Sequence, residues 1–356
     1  METMPPVPHE ALRTFAAAMY RSAGANEENA ALLADTLVQS DLWGHQSHGL
    51  LRTSWYYKRI RNGVMLPNAK PTVINDVGSV VRLDGNDGMG QATAKFAMEY
   101  AIDRALRYGV AAVTVRRSNH FGTVQYFTRM ATKAGCVAIM TSNGGPGMPP
   151  WGGLKKLIGT NPWSIASPGG KYDPVVLDIA NTGVARGKIA VAMRRGDPIP
   201  EGWALTIDGR PTTDAAEAFK GIILPMAGHK GSGIGLMVDV LSGVLSGASF
   251  LSGVNSPFFF DKQSNCGHCI IVMDVKAFMP LDEYHARIER FIEEIKAVPP
   301  IPDVEEVYYP GEIEIRQDAI NRRNGIVLPQ EVLKDMAETG KDAGVSDLCP
   351  FKCPDL

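Results

Sequence analysis

Between Gly88 and Met140 the chain alternates helix and strand so tightly that few architectures can accommodate it. Gly88-Met89-Gly90 leads into a helix through Ala94, Ala97, Ala101, Ile102 and Leu106, and Gly109 ends it. The run Val110-Ala111-Ala112-Val113-Thr114-Val115 follows at once and reads as a strand. Ser118-Asn119-His120-Phe121-Gly122 then turns into a second helix, ended by Gly135, and Val137-Ala138-Ile139-Met140 is another strand. A strand, helix, strand rhythm needs a crossover, so an α/β fold with a partly parallel sheet covered by helices is expected.

The flanks follow other rules. The first 65 residues read as helices, with Leu12, Phe15 and Met19, then Ala30, Leu33 and Leu37, at helical spacing, and Asn62-Gly63 as a stop. From Pro71 the pattern turns β-branched, in Thr72-Val73-Ile74 and Val80-Val81-Arg82-Leu83. Residues 143–173 form a Gly/Pro-rich passage of a length usually either functional or disordered. It holds Gly159-Thr160-Asn161-Pro162-Trp163, too structured in composition for a linker. A strand runs into Asp178-Ile179-Ala180, and a turn-rich region passes through Asp208-Gly209-Arg210-Pro211. Beyond it come a helix from Lys230 to about Leu245, an apolar strand near Ile270, and helices near 281–296 and 330–338. There is no internal repeat.

Composition removes several classes. A formal net charge of -2 leaves no basic excess for nucleic acid or an anionic membrane. No apolar run approaches the roughly 20 residues that span a bilayer. Met1-Glu2-Thr3-Met4-Pro5-Pro6 lacks the basic and apolar regions of a signal peptide, so a cytoplasmic enzyme or binding protein is expected. The 5 cysteines are an odd, scattered set, which argues against a disulfide framework. Cys266 and Cys269 with Cys349 and Cys353 could in principle close a zinc site. But Cys269 opens the apolar run to Met273, where cysteine acts as a small hydrophobe, and no metal is expected.

The chemistry concentrates in Ser47-His48-Gly49 with Arg52. If Ser47 caps a helix through Leu50, Leu51, Trp55, Tyr56 and Ile60, His48 and Arg52 lie one turn apart on one face. An imidazole can move a proton near pH 7, and a guanidinium can grip a carboxylate through two hydrogen bonds. That pairing suits a small 2-hydroxy or 2-keto acid, although a capped helix whose His and Arg merely face water has the same letters. His120 sits in a strand-to-helix loop, where open α/β sheets place their ligands. Asp178 and Arg186 are weaker candidates, since one could cap a turn and the other could be a solvated charge. The Rossmann fingerprint is absent, because Gly231-Ser232-Gly233-Ile234-Gly235 has the wrong spacing. Gly228-His229-Lys230-Gly231, at the start of a helix, instead reads as a phosphate cradle.

Ser47-His48-Gly49 with Arg52, Ser118-Asn119-His120-Phe121-Gly122, Gly159-Thr160-Asn161-Pro162, Asp178-Ile179-Ala180, Gly228-His229-Lys230-Gly231 and Tyr309-Pro310-Gly311-Glu312 occur in that order. Together they resemble the type II malate/L-lactate dehydrogenase family over nearly the whole chain. The resemblance implies a non-Rossmann fold: a mixed cofactor-binding sheet flanked by helices, plus a helical domain from the two termini. The divisions expected are 1–70 with 315–356 (helical), 71–125 with 215–314 (nicotinamide cofactor) and 126–214 (substrate and interface). It also implies a homodimer with its active site near the subunit interface.

Carried over, His48 resembles the proton donor, with Ser47 orienting it, and His120 a second acid/base. Arg52 looks like the substrate carboxylate clamp, with Thr160, Arg186 and Gly187 on the substrate side. His120, Phe121, Gly122, Thr123 and Val124 would contact the cofactor, as would Asp178, Ile179, Ala180, His229, Lys230, Gly311 and Glu312. Trp43 departs from the pattern, standing where many relatives carry arginine. NAD is the expected cofactor, with NADP open. Arg52 would hold C1 while an imidazole takes the hydroxyl proton, and Arg186 would meet a second carboxylate, favouring malate over lactate. Reduction of cyclic 2-imino acids, oxidation of ureidoglycolate, and dinucleotide binding without turnover are the alternatives. An arginine at 186 speaks against the first, no amide-recognising groups stand out for the second, and retention of both histidines argues against the third.

Overall fold

The computed structural model describes residues 4–352. The helical opening is α1 (His9–Ser22), α2 (Glu27–Leu42) and α3 (Thr53–Arg61). Asn26 caps α2 by accepting the Asn29 N–H, and α3 ends at Asn62, where a stop was expected. Their apolar stripes bury Leu12, Phe15, Met19, Leu33 and Leu37 together with Ile326, Leu333 and Met336 from the far end of the chain. Both termini thus share one core.

The central elements follow in chain order: β1 (Thr72–Val77), β2 (Val80–Asp84), α4 (Gly90–Tyr108), β3 (Val110–Ser118), α5 (Gln125–Lys133), β4 (Cys136–Ser142), β5 (Trp163–Ser167) and β6 (Val175–Ile179). Then come α6 (Arg186–Arg195), β7 (Ala204–Leu205), α7 (Ala215–Lys220), β8 (Ile222–Ile223), α8 (His229–Asp239) and β9 (Cys266–Asp274). The chain closes with α9 (Leu281–Lys296), α10 (Glu312–Asn324) and α11 (Gln330–Asp342).

Seven strands form one sheet in the order β1-β2-β3-β9-β4-β5-β6. The crossover from β2 through α4 to β3 gives a parallel neighbour pair, as the rhythm predicted. The crossover from β3 through α5 to β4 does not. Late in the chain β9 returns and inserts between them, antiparallel to both, with Ile270 opposite Val113 on one side and Met140 on the other. The sheet is therefore mixed, and more antiparallel than local reading suggested. Burial of β9 on both flanks explains its apolar run. The Cys266 and Cys269 thiols in it are pushed up to about 12 and about 11 by burial, so both stay protonated. Cys353 lies outside the described residues.

Other boundaries also move. Trp163 opens β5 inside the Gly/Pro-rich passage. The helix expected from Lys230 starts at His229 and passes at Val240 into a π-helical stretch ending at Leu245. Helix α10 falls mostly within the 315–356 stretch expected to be helical and adds to the helices read near 281–296 and 330–338. A small third cluster of Val184, Ile189, Ile199, Ala218 and Ile223 joins α6 and α7 to the β7–β8 pair and fixes the start of α6. Among the described residues no helix is long and apolar enough to cross a membrane.

Candidate active site

Strands β3, β4 and β6 run the same way, because β9 is antiparallel to both β3 and β4 and β5 is antiparallel to both β4 and β6. Their C-terminal ends therefore release three loops at one edge of the sheet, the usual place for a ligand in an α/β protein. With residues 45–52 and 256–258 these loops enclose a cavity of about 670 Å³.

The segment carrying His48 and Arg52 is not the expected helix. Gln46–His48 and Leu50–Arg52 are separate 3-10 turns broken at Gly49, and α3 begins only at Thr53. Ser47 caps nothing; its hydroxyl lies 2.9 Å from His48 Nδ1. The break is held from inside by Asp41 of α2, whose buried Oδ2 accepts the Leu50 N–H at 2.7 Å. Chain and carboxyl group pass so closely that a Cβ on Gly49 would stand 2.1 Å from Asp41 Oδ1.

Arg52 folds back over this turn. Its Nε donates to the Ser47 carbonyl at 2.7 Å, and its guanidinium carbon lies 3.6 Å from the Trp55 ring centre. Trp55 in turn packs against Phe258, with ring centres 4.2 Å apart. No acid among the described residues pairs with Arg52, so the outer edge of a preorganised fork remains for a ligand carboxylate.

The two histidines meet across the cavity, their rings nearly parallel at 5.8 Å. The Tyr56 hydroxyl lies 2.5 Å from His120 Nδ1. Burial, then the charges of Arg52 and His45, lower His48 to about 4. Burial, then His48 and Arg52, hold His120 well below the ordinary imidazole range. Both rings are neutral at pH 7 and able to accept a proton. Burial pushes the Tyr56 phenol up, so it keeps its proton beside His120. Asp178 on β6 accepts the Gln125 N–H at 2.8 Å, yet burial raises it to about 6. Arg59 in the last turn of α3 is fully buried and donates to Asn119 Oδ1 at 3.1 Å, to Ser264 Oγ at 3.0 Å and to the Phe259 and Lys262 carbonyls. It ties the His120 loop and the 256–264 wall to one helix.

Most of the expected residues converge here. Ser47, His48, Arg52 and His120 line the cavity, followed by Gly122, Thr123 and Val124. Thr160, Asp178, Ile179, Ala180, Arg186 and Gly187 complete that set. Others lie elsewhere. Phe121 points into the core, its ring 5.2 Å from Phe127 and 4.8 Å from His268. His229 and Lys230 border a separate depression with Trp163 and Met237, so the helix start read as a phosphate cradle does not face this cavity. Glu312 is engaged by Lys296 and Arg316, and Gly311 packs on Val176. Trp43, the departure noted above, packs beside Tyr126 and under Arg129.

In the sequence Trp55 and Tyr56 read only as apolar helix positions, and no local pattern singles out Lys156 or Phe258. Their signal was contextual: aromatic residues following a His/Arg turn, and a lysine pair inside a Gly/Pro loop. The cavity also suits a nicotinamide dinucleotide. Gly144 and Gly187 face it with nothing within 4 Å of where a Cβ would stand, so a flat ring or phosphate can approach bare backbone.

Residues 7–337 match the family model described as malate/L-lactate dehydrogenase. A malate dehydrogenase of Pyrococcus horikoshii is 37% identical over 350 residues, covering 96% of each chain. A ureidoglycolate dehydrogenase (NAD(+)) of Escherichia coli O157:H7 is 36% identical over 304 residues, 84% of this chain and 86% of that one. The solved sulfolactate dehydrogenase of Methanocaldococcus jannaschii superposes with a TM-score of 0.91 at 33% identity, covering 96% of this chain and 98% of the other.

Proposed function

The chain belongs to the malate/L-lactate dehydrogenase family, and from that premise we propose that it oxidises malate to its 2-keto acid with NAD as hydride acceptor. The observation that carries the reading is Arg52, stacked on Trp55 with no internal acid to neutralise it, beside two neutral imidazoles. A carboxylate on that fork presents C2 and its hydroxyl to the histidines. When bound, the nicotinamide supplies the acceptor for the C2 hydride.

The protein's own part is proton transfer and orientation. His48 accepts the hydroxyl proton through the ring nitrogen that Ser47 leaves free, and the same nitrogen returns it in the reverse direction. His120, steadied by Tyr56, polarises the same oxygen from the other side. Such acid/base help contributes about a hundredfold to ten-thousandfold in rate. Asp178, Gly122 and Gly144 form the wall offered to the dinucleotide.

Malate is preferred over lactate because Arg186 lines the same cavity and can meet a second carboxylate. We also place the enzyme in the cytoplasm as a homodimer; the exposed Met237, Val244 and Leu245 on and after α8 are apolar surface that a second copy would bury. The test is reduced-nicotinamide absorbance with NAD or NADP and malate, lactate, sulfolactate or ureidoglycolate, plus each reduced cofactor with pyrroline-2-carboxylate. Malate-dependent reduction of NAD, abolished in His48→Ala, supports the reading. Turnover of the cyclic imine alone, or of nothing, refutes it.

A further inference from the structure

We propose that Lys156 sets the substrate class of this cavity: with Arg186 it takes the distal anionic group of a 2-hydroxy acid whose C1 carboxylate sits on Arg52. The inference rests on the dehydrogenase reading above and deepens it. Lys156 belongs to the 148–158 loop, which is closed at its base by an antiparallel bridge between Met148 and Ile158. The Leu157 and Ile158 N–H groups both donate to the Met148 carbonyl, at 3.0 and 3.1 Å. Farther out, the Trp151 N–H donates to Ser232 Oγ of α8 at 2.9 Å. Lys156 is thus set on a braced loop, two residues from the bridge, and it lines the cavity.

Its neighbour Lys155 is exposed and has no part in the cavity wall, whereas Lys156 is half-buried. Lysine is seldom drawn inward without a partner, yet no acid or carbonyl among the described residues accepts from its ammonium. Burial, and then the charge of Arg186, another cation on the same cavity wall, lower the Lys156 pKa. Arg186 itself is partly committed: one nitrogen donates to the Phe219 carbonyl at 2.6 Å, and its fork lies over the Phe219 ring. Arg52 acts on a different neighbourhood, that of His48, His120 and Tyr56. The cavity wall therefore holds cations in two groups, Arg52 in one and Lys156 with Arg186 in the other, against Asp178 as the one carboxylate among the described lining residues. A dianion satisfies both groups at once. A monocarboxylic acid leaves two cations facing each other.

The experiment compares the unsubstituted protein with Lys156→Met, Lys156→Arg and Arg186→Met, using malate and lactate as paired substrates. Dinucleotide affinity is followed by fluorescence of the reduced nicotinamide. Loss of a charged hydrogen bond predicts a fall of about tenfold to a hundredfold in the malate-to-lactate ratio of kcat/KM for Lys156→Met, carried by KM. Lys156→Arg is expected to recover most of it, and dinucleotide affinity to stay put. A ratio that does not move overturns the proposal. A weakened dinucleotide affinity with the ratio intact also overturns it, because the anion would then be a cofactor phosphate. If no 2-hydroxy acid is turned over, the dehydrogenase reading fails separately, and Lys156 is judged by melting shifts. Malate must then stabilise the unsubstituted protein more than Lys156→Met, and equal shifts overturn the assignment.

Discussion

Replacing Gly49 by alanine isolates how the His48 and Arg52 turns are held in place. Gly49 has a φ of −92°, which any residue can adopt, so the requirement is for space. The added methyl would sit 2.1, 2.3 and 2.4 Å from Asp41 Oδ1, Cγ and Oδ2. It must push the carboxyl group away by more than an ångström to reach ordinary contact. Asp41 is 1% exposed and has no room to retreat, and its shift releases the Leu50 N–H. Overpacking costs about 1–3 kcal/mol, and stranding a buried donor about another 1–3. Gly49→Ala should therefore destabilise by about 3 kcal/mol. Asp41→Ala alone should cost about 2 kcal/mol through the same stranded donor, but it opens the space that the methyl needs. Adding Gly49→Ala to Asp41→Ala should then cost under about 1 kcal/mol, a coupling of about 2 kcal/mol. Urea unfolding of the four proteins measures it, with m checked for constancy. Additive losses would refute the steric account and leave Asp41 as an ordinary cap.

Arg52→Met removes a bidentate carboxylate contact and should lower kcat/KM for any 2-hydroxy acid by about a hundredfold to a thousandfold, with dinucleotide affinity retained; initial rates at varied substrate decide it. Because His48 must be neutral to accept a proton and is lowered to about 4, the acid limb of log kcat/KM for oxidation should fall near that value. It should rise in Arg52→Met, which loses one of the causes. A limb at an ordinary histidine value in both proteins would remove His48 from the role. Arg59→Met strands Asn119, Ser264 and two carbonyls and should cost about 3–5 kcal/mol in urea unfolding, whereas a loss under about 1 kcal/mol would mean the loops are held elsewhere.

How far the sequence reveals this molecule depends on the range of the interaction. The β2-α4-β3 crossover is legible because Gly109 and the Val110–Val115 run lie beside each other in the chain. Insertion of β9 is not, since its partners Val113 and Met140 are more than a hundred residues away and any buried apolar strand would satisfy a local pattern. At the site, His48, Arg52 and His120 stand out by residue type and position, Asp178 more weakly, and all four line one cavity. What misled was the connection between them. A serine before an apolar run reads as a helix cap, but Asp41 competes for the Leu50 N–H from another helix and breaks the turn at Gly49. Lys156 was invisible for the opposite reason: a lysine in a Gly/Pro loop is ordinarily solvated, and only the Met148–Ile158 bridge brings it to the wall.

The broken turn makes better chemical sense than the helix it replaces. On a continuous helix, His48 and Arg52 would project side by side, and the guanidinium would be free to take any nearby acceptor. Here Arg52 spends one nitrogen on the Ser47 carbonyl and its flat face on Trp55, so the fork is oriented before a substrate arrives. The same fold-back sets a permanent cation close to both imidazoles. Burial first, and then that charge, keep them unprotonated, which suits proton acceptance and disfavours a doubly positive pair. A bound carboxylate would offset the cation and raise both imidazole pKa values towards neutrality. Substrate binding itself would then ready His48 to hold the proton it removes. Titration of the two imidazoles by NMR should show both rising when oxalate, a carboxylate that cannot be turned over, occupies the Arg52 fork. Unmoved values would mean that the Arg52 charge has no part in setting them.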